Sequence, residues 1–159
     1  MLRPLLLTLC LVALPMIASP QAPNGPRNAP NTSRAQAERA LDSYFAAMQS
    51  HDFSQVPFTR EAVFRGSVHT EPIRGDSAVR AFLVAVANGA RSVQPLWRVV
   101  DGERACAHYE YHRTDGVVVP VVACFRFDAG RIAEERAFFD PRPFLTPAPS
   151  SGKDTSQRH

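Results

Sequence analysis

The chain has 159 residues with an apolar fraction of 45%, enough for a single globular domain with a real core. Its formal net charge is +3, and Lys153 is the only lysine among its 18 basic residues. The arginines are scattered along the chain and form no basic run. A nucleic-acid-binding surface needs clustered positive charge, so nucleic acid is excluded as an expected partner.

The N-terminus has the pattern of a secretory signal. Arg3 precedes an apolar run over residues 5–18, and small residues follow at Ala18, Ser19 and Ala22. This pattern predicts a signal peptide over residues 1–22, cleaved between residues 18 and 22. The run is short for a membrane span, and a retained anchor helix is the alternative. We therefore expect a secreted or periplasmic protein with no membrane contact after signal removal.

The two ends of the remaining chain lack apolar periodicity. Residues 23–32 are rich in Pro, Asn and Gly, and residues 146–159 contain the similar stretch PAPSSGKDTSQRH. Both compositions predict disorder, as a flexible leader and a disordered tail. One domain over residues 33–145 is left.

Two helices open this domain. Ser33 and Gln36 have the spacing of a capping box, and apolar residues then recur at helical spacing until about His51. A second helix is predicted to be capped by Asp76 and to end at Gly89.

Five strands are predicted, one between the two helices and four after them. A short strand is predicted at 61–65, and four longer ones come after the second helix at 92–100, 104–113, 117–127 and 131–139. The turns between the four longer strands are short and polar and each contains a glycine, as hairpins require. Helices followed by an antiparallel meander predict an α+β fold.

Two cysteines, Cys106 and Cys124, remain after signal removal. If their strands pair about a turn near Asp115, the two residues lie opposite each other and a disulfide is geometrically allowed. A register one residue different would leave two separate buried thiols. The spacing of the histidines, including His69, does not predict a metal site, and no cofactor is expected.

Three segments carry a family resemblance: SYFAAMQSHDF, EPIRGDSAVRAFL and FRFDAGRIAEERAFFDP. Together they resemble the SnoaL-like branch of the nuclear transport factor 2-like superfamily, over nearly all of residues 33–144. The resemblance implies a cone-shaped, curved antiparallel sheet packed on N-terminal helices, with a small-molecule pocket at its open end. It also implies a homodimer formed through the outer sheet face.

Ketosteroid isomerases belong to the same superfamily, and the resemblance carries their working residues only in part. Their oxyanion-binding tyrosine matches Tyr44. Their general-base aspartate falls at Gly66, and their second oxyanion-hole acid falls at Ala123. The acid that SnoaL-like polyketide cyclases use in the last strand falls near Ala137. The resemblance therefore implies the fold without the catalytic acids, and fold alone does not carry function.

The strand at 104–113 offers the remaining polar candidates. Its even-numbered residues, among them His108, Glu110 and His112, share one face. The family alignment turns this face into the pocket, whereas periodicity alone buries the more apolar odd-numbered face. The two assignments are compatible if the odd-numbered face, with Tyr109 and Tyr111, is buried in a dimer interface. Under the alignment, His108 and Glu110 join Tyr44 as candidate acid–base residues, or as a structural hydrogen-bond pair.

Glu135 is predicted to form a cross-strand ion pair, although it shares a face with Ala137 and Phe139 and so has an inward alternative. The expected pocket wall consists of Tyr44, Phe82, Trp97, His108, Glu110, Ala123, Phe125 and Phe139.

Three functions follow from these residues. The first is binding of a small apolar or amphipathic molecule without chemical change. The second is an enzyme of the isomerase, cyclase or hydratase type with a rearranged site. The third is a dimeric protein-interaction module that uses the face of Tyr109 and Tyr111.

Overall fold

The computed structural model describes residues 31–145, which form a mixed α+β fold as predicted. The elements in chain order are α1 Arg34–Ser50, β1 Phe58–Gly66, β2 Ile73–Arg74, α2 Asp76–Asn88, β3 Ala90–Asp101, β4 Arg104–Arg113, β5 Val118–Asp128, β6 Arg131–Phe138 and α3 Arg142–Leu145. The predicted signal peptide, almost all of the leader, and the tail lie outside the described residues. Within residues 31–145, no helix has the length and apolar character needed to cross a membrane.

The predicted start of α1 is confirmed in detail. The Ser33 hydroxyl accepts a hydrogen bond from the Gln36 backbone N–H, and the Gln36 side chain accepts one from the Ser33 N–H at 2.8 Å. The start of α2 differs from the prediction. Its N-cap is Gly75, at a φ of 91° that favours glycine, and Asp76 is already helical. The Asp76 carboxylate instead accepts from Arg80, 2.6 Å away.

The sheet has six strands in the order β2-β1-β6-β5-β4-β3. The strands from β3 to β6 form the predicted antiparallel meander. The pairing of β1 with β6 is parallel, which the antiparallel prediction did not include. The meander starts with β3 at one edge of the sheet, and each later strand pairs with the one before it. Its last strand, β6, therefore lies beside β1 and runs in the same direction.

Alternation along β4 divides its residues between the two sheet faces. Ala105, Ala107, Tyr109 and Tyr111 are at most 5% exposed and face α1 and α2, whereas the even-numbered residues lie on the outer face and are half-buried or, at Arg104, exposed. The hydrophobic core therefore lies between the helices and the odd-numbered face of β4, as periodicity alone predicts.

The residues just before α1 close one end of the sheet. The Asn31 backbone N–H donates to Glu103 in the β3–β4 turn at 2.9 Å, and the Gly130 N–H in the β5–β6 turn donates to the buried Thr32 hydroxyl at 3.1 Å. With both turns tied to the start of the helix, the inner face opens at the opposite end of the strands.

Candidate functional site

A cavity of about 420 Å³ lies between α2 and the inner face of the sheet. Its walls are mostly apolar and aromatic and come from every layer of the fold: Tyr44, Phe64, Val68, Phe82, Leu83, Ala85, Val86, Gly89, Tyr109, Tyr111, Val121, Ala137, Phe139 and Phe144. The remaining lining residues are His69, Arg113, Thr114 and Glu135. This volume and composition are typical of a small-molecule site.

Glu135, on β6, is the carboxylate of the cavity wall. Its side chain is 1% exposed, and its Oε1 accepts a 2.8 Å hydrogen bond from the Tyr44 hydroxyl. Its Oε2 is buried and has no hydrogen-bond partner among the described residues. Burial raises the pKa of Glu135 to about 8, although the bond from Tyr44 opposes the shift. The side chain is therefore mostly protonated at neutral pH.

Two tyrosines surround this acid and remain neutral. Burial, followed by the charge of Glu135, raises the pKa of Tyr44 well above its ordinary value, and the same two causes raise the pKa of Tyr109. The Tyr44 ring is fixed by edge-on contacts, with its centroid 5.2 Å from Phe125 and 6.0 Å from Phe53. Tyr44 is therefore a rigidly positioned hydrogen-bond donor to Glu135.

The register of β6 explains why Glu135 points inward. Glu135 lies beside the buried Phe125 of β5 and Phe64 of β1, and the pairing shifts between Arg126 and Phe127. The neighbouring Glu134 therefore faces outward, where a hydrogen bond from Arg136, with a smaller effect from Arg65, holds its pKa below the usual range. The predicted cross-strand ion pairs form at Glu134, whereas Glu135 takes the inward alternative.

Part of the expected pocket wall lines the cavity. Tyr44, Phe82 and Phe139 contribute directly to its surface. Ala123 and Phe125 lie on the same inner face but deeper, at 0% and 3% exposure, where they form the core beneath the cavity.

Three predicted residues lie on the other side of the sheet, and their assignment to the pocket is wrong. Trp97 is 51% exposed and its ring contacts that of His108 at a tilt, with 5.6 Å between ring centroids. Glu110 Oε2 lies 3.0 Å from His112 Nε2 on the same outer face. The family alignment was offset by one residue on β4, and one residue reverses the face of a strand. His108 and Glu110 are therefore not partners of Tyr44.

The same offset overturns the proposed outer interface of tyrosines. Tyr109 and Tyr111 are both 5% exposed and line the cavity. The Tyr111 hydroxyl donates to the Val86 carbonyl of α2 at 2.6 Å. An interaction module that uses this face is therefore ruled out, because the face is already packed against the helices.

The outer face carries the cysteines. Cys106 and Cys124 are direct cross-strand partners in the β4–β5 ladder and are joined by a disulfide. Across residues 31–145, no group of three or more His, Cys, Asp or Glu side chains is arranged to hold a metal ion.

Small residues occupy the positions to which the family resemblance assigned catalytic acids. Gly66 lies at the end of β1, and a Cβ atom built there would be 2.9 Å from the Phe64 ring. Ala137 lines the cavity and pairs with the buried Ala123. The acid in this cavity is Glu135, two residues before Ala137 on the same face. In the sequence, the indication of this inward position was that Glu135 shares a strand face with Ala137 and Phe139.

Solved structures with the same fold include three informative relatives. A nuclear transport factor 2-like protein of unknown function from Mesorhizobium loti shares 24% identity, with a TM-score of 0.62, over 67% of this chain and 93% of that one. A steroid delta-isomerase from Pseudomonas aeruginosa shares 22% identity, with a TM-score of 0.61, over 70% and 84%. A putative SnoaL-like polyketide cyclase from Jannaschia sp. CCS1 shares 16% identity, with a TM-score of 0.60, over 76% and 95%.

These similarities show the nuclear transport factor 2-like fold, as the sequence resemblance implied. A comparison with curated proteins finds no match. The model of one protein family matches residues 32–150, which include all three helices, the whole sheet and the cavity. The chain therefore belongs to the family described as "Domain of unknown function (DUF4904)".

Proposed function

We propose that this protein is a secreted or periplasmic domain that binds a small apolar or amphipathic molecule in the cavity between α2 and the sheet. The observation that carries the proposal is the cavity itself, about 420 Å³ with mostly apolar walls, built on a fold that hosts small-molecule sites. Apolar ligand surface buried against these walls would supply most of the binding free energy.

Glu135 gives this ligand one polar requirement. Its Oε1 already accepts from Tyr44, so the proton of the neutral acid belongs on the unpartnered Oε2. A buried donor without an acceptor is costly, and a ligand oxygen that accepts its hydrogen bond would remove that cost. The preferred ligand at neutral pH is therefore an apolar molecule with a carbonyl or ether oxygen.

A matched series of compounds tests this proposal. The ketone 2-acetylnaphthalene, its alcohol and 2-ethylnaphthalene share one skeleton and differ in hydrogen bonding. We expect the ketone to raise the melting temperature most at pH 6. Binding of none of the three, or equal binding of the hydrocarbon and the ketone, would contradict the role of Glu135.

Two substitutions at Glu135 sharpen the test. Gln keeps an oxygen for Tyr44 and an N–H for the ligand, so Glu135→Gln should retain the ketone preference and lose its pH dependence. Leu has neither group, so Glu135→Leu should bind the ketone and the hydrocarbon alike. In the unmodified protein, the ketone preference should fall above about pH 8, where the carboxylate can only accept.

A second candidate function is enzymatic, and the hydrogen-bonded pair of Glu135 and Tyr44 favours it as well. A buried acid of shifted pKa beside a cavity is a common property of catalytic sites. Glu135 as a carboxylate would take a proton from the carbon next to a bound carbonyl, forming an enolate, and would return a proton to that enolate. This assignment replaces the earlier acid–base set of Tyr44, His108 and Glu110.

Deuterium exchange separates the two functions. The methyl ketone protons of bound 2-acetylnaphthalene would exchange with D2O faster than in buffer if Glu135 acts as a base, with a rate that rises toward pH 8. Glu135→Leu should abolish the acceleration. Ketone recovered without excess deuterium would leave binding as the function.

We also propose that the protein forms a homodimer through the outer face of its sheet. Trp97, Val99 and Phe138 are 51%, 63% and 55% exposed on strands that span this face. Exposed apolar groups gathered on one surface are typical of an interface. Light scattering after size exclusion should give twice the monomer mass, and Trp97→Glu should halve it, whereas Leu145→Glu should not. A monomer at every concentration would refute the dimer.

Export is tested separately. With cleavage between residues 18 and 22, mass spectrometry of the periplasmic or extracellular protein should find an N-terminus in that interval. An intact N-terminus in the cytoplasmic fraction would overturn the assignment.

A further inference from the structure

The short helix α3 borders the cavity. The Phe144 side chain is part of the cavity lining, and its ring centroid lies 5.2 Å from Phe139 and 5.8 Å from Tyr111. Both of these neighbours are themselves lining residues. Phe144 therefore closes a gap in the aromatic wall between the end of β6 and β4.

Arg113, the last residue of β4, holds this helix in place through two contacts. Its guanidinium carbon lies 5.0 Å from the centroid of the Phe144 ring, and its Nη1 donates to the Pro143 carbonyl at 2.7 Å. The Asp115 carboxylate accepts from Nε at 3.1 Å and from Nη2 at 2.7 Å. Asp115 therefore fixes the orientation in which Arg113 can reach α3.

The C-terminal half of α3 is partly exposed to solvent. The helix has four residues, too few to be stable without support from the rest of the fold. Phe144 is 38% exposed and Leu145 is 68% exposed. The strand before it is anchored better, because the Phe139 N–H donates to Ser67. Movement of α3 would therefore pivot between Phe139 and Arg142.

We propose that α3 is a gate over the cavity, that Phe144 is the side chain that blocks its mouth, and that Arg113 is the latch. Opening separates Arg113 from α3 and the Phe144 ring from Phe139 and Tyr111, and it leaves the strand pairing of the sheet intact, so it is a local event. The gate goes beyond the proposed binding function, since it sets how fast any molecule enters or leaves.

A thiol inside the cavity measures the gate without a ligand. Ala137 lines the cavity and is 6% exposed, so Ala137→Cys places a reporter behind Phe144. The reagent is monobromobimane, which is uncharged and bulky, used without reductant in a Cys10→Ser chain so that the native disulfide stays closed. Because no ligand is involved, failure of the binding proposal would not affect the result.

We expect slow labelling of this reporter, at a rate nearly independent of urea at low concentration, because local opening exposes little surface. Arg113→Ala leaves Phe144 in place but removes the latch, and should accelerate labelling at least tenfold. Phe144→Ala should do the same, and Leu145→Ala, the neighbouring exposed residue, should not.

Equal labelling rates with and without Arg113 would overturn the proposal. So would a parent rate that tracks global unfolding in urea, since α3 would then be a static wall. If Arg113→Ala does not fold by circular dichroism, Asp115→Asn replaces it, because it disorients Arg113 without removing it. An unchanged rate in Asp115→Asn together with an unchanged urea dependence would count against the gate in the same way.

Discussion

Replacing Glu135 by Gln should change how stability depends on pH. Glu135 is fully buried, and burial raises its pKa from an ordinary value of 4.5 to about 8 in the folded protein. The folded state therefore holds a proton that the unfolded chain releases above about pH 5. Stability from this group is fully present at low pH and is lost as the pH rises through the folded pKa.

The magnitude follows from the width of that interval. A difference of one pKa unit corresponds to about 1.4 kcal/mol. Between pH 5 and pH 8, the free energy of unfolding should therefore fall by roughly 4 kcal/mol relative to a protein without this titration. The Gln side chain is such a reference, because it is isosteric with the acid and does not ionise.

The assay is urea unfolding of both proteins at five pH values from 5 to 9. Subtraction of the two curves removes the contribution of the other acids, such as Asp115, whose pKa is lowered by Arg113 and which therefore has the opposite pH trend. We expect the free energy of unfolding of Glu135→Gln, relative to that of the parent protein, to rise with pH up to about pH 8 and then to level off. If this difference does not change with pH, or if the parent protein becomes the more stable of the two as the pH rises, Glu135 is ionised in the folded state.

Three other variants test the surroundings of the site and the disulfide. Tyr44→Phe leaves Glu135 Oε1 without its donor, so urea unfolding at pH 6 should show a loss of about 1–3 kcal/mol; an unchanged midpoint would show that the hydrogen bond is absent in solution. Leu41→Ala, at a position of 0% exposure outside the cavity lining, should cost about 2–5 kcal/mol in the same assay while ketone binding persists. A loss of binding in the folded variant would contradict the placement of the site. Cys106→Ser with Cys124→Ser opens a link between residues 18 apart and should cost about 3 kcal/mol, and reduction of the parent should cost the same; equal stability of parent and variant would mean that the disulfide does not form.

Local chemistry was enough to predict most of the elements. The Ser33 capping box, the left-handed residue His51 at the end of α1 and the glycine turns each depend on neighbours a few residues apart. The extent of β4, Arg104–Arg113, agrees with its predicted range. The parallel pairing of β6 with β1 was not predictable in this way, because it joins two strands that are far apart in the chain.

The cavity was harder to predict because each strand face depends on register. Alternation on β4 was visible in the sequence and correctly buried Tyr109, but the family alignment favoured the opposite face and placed His108 in the pocket. For Glu135 the sequence predicted a cross-strand ion pair, and the inward position that the structure shows was only the alternative. Its partnership with Tyr44 joins residues 91 positions apart and requires the curvature of the sheet, which no local pattern contains.

The contact at Gly66 has a consequence for protein engineering. An aspartate introduced at position 66, where the family resemblance implied an isomerase base, would meet the Phe64 ring at its first side-chain atom, 2.9 Å away. That ring is 5% exposed and stacks on Phe82 of α2, so it has little room to retreat. Placing an acid at this position would therefore take at least two coordinated changes, a smaller residue at position 64 together with the acid at 66. A single-substitution library would pass over this route, since its first step alone is destabilising.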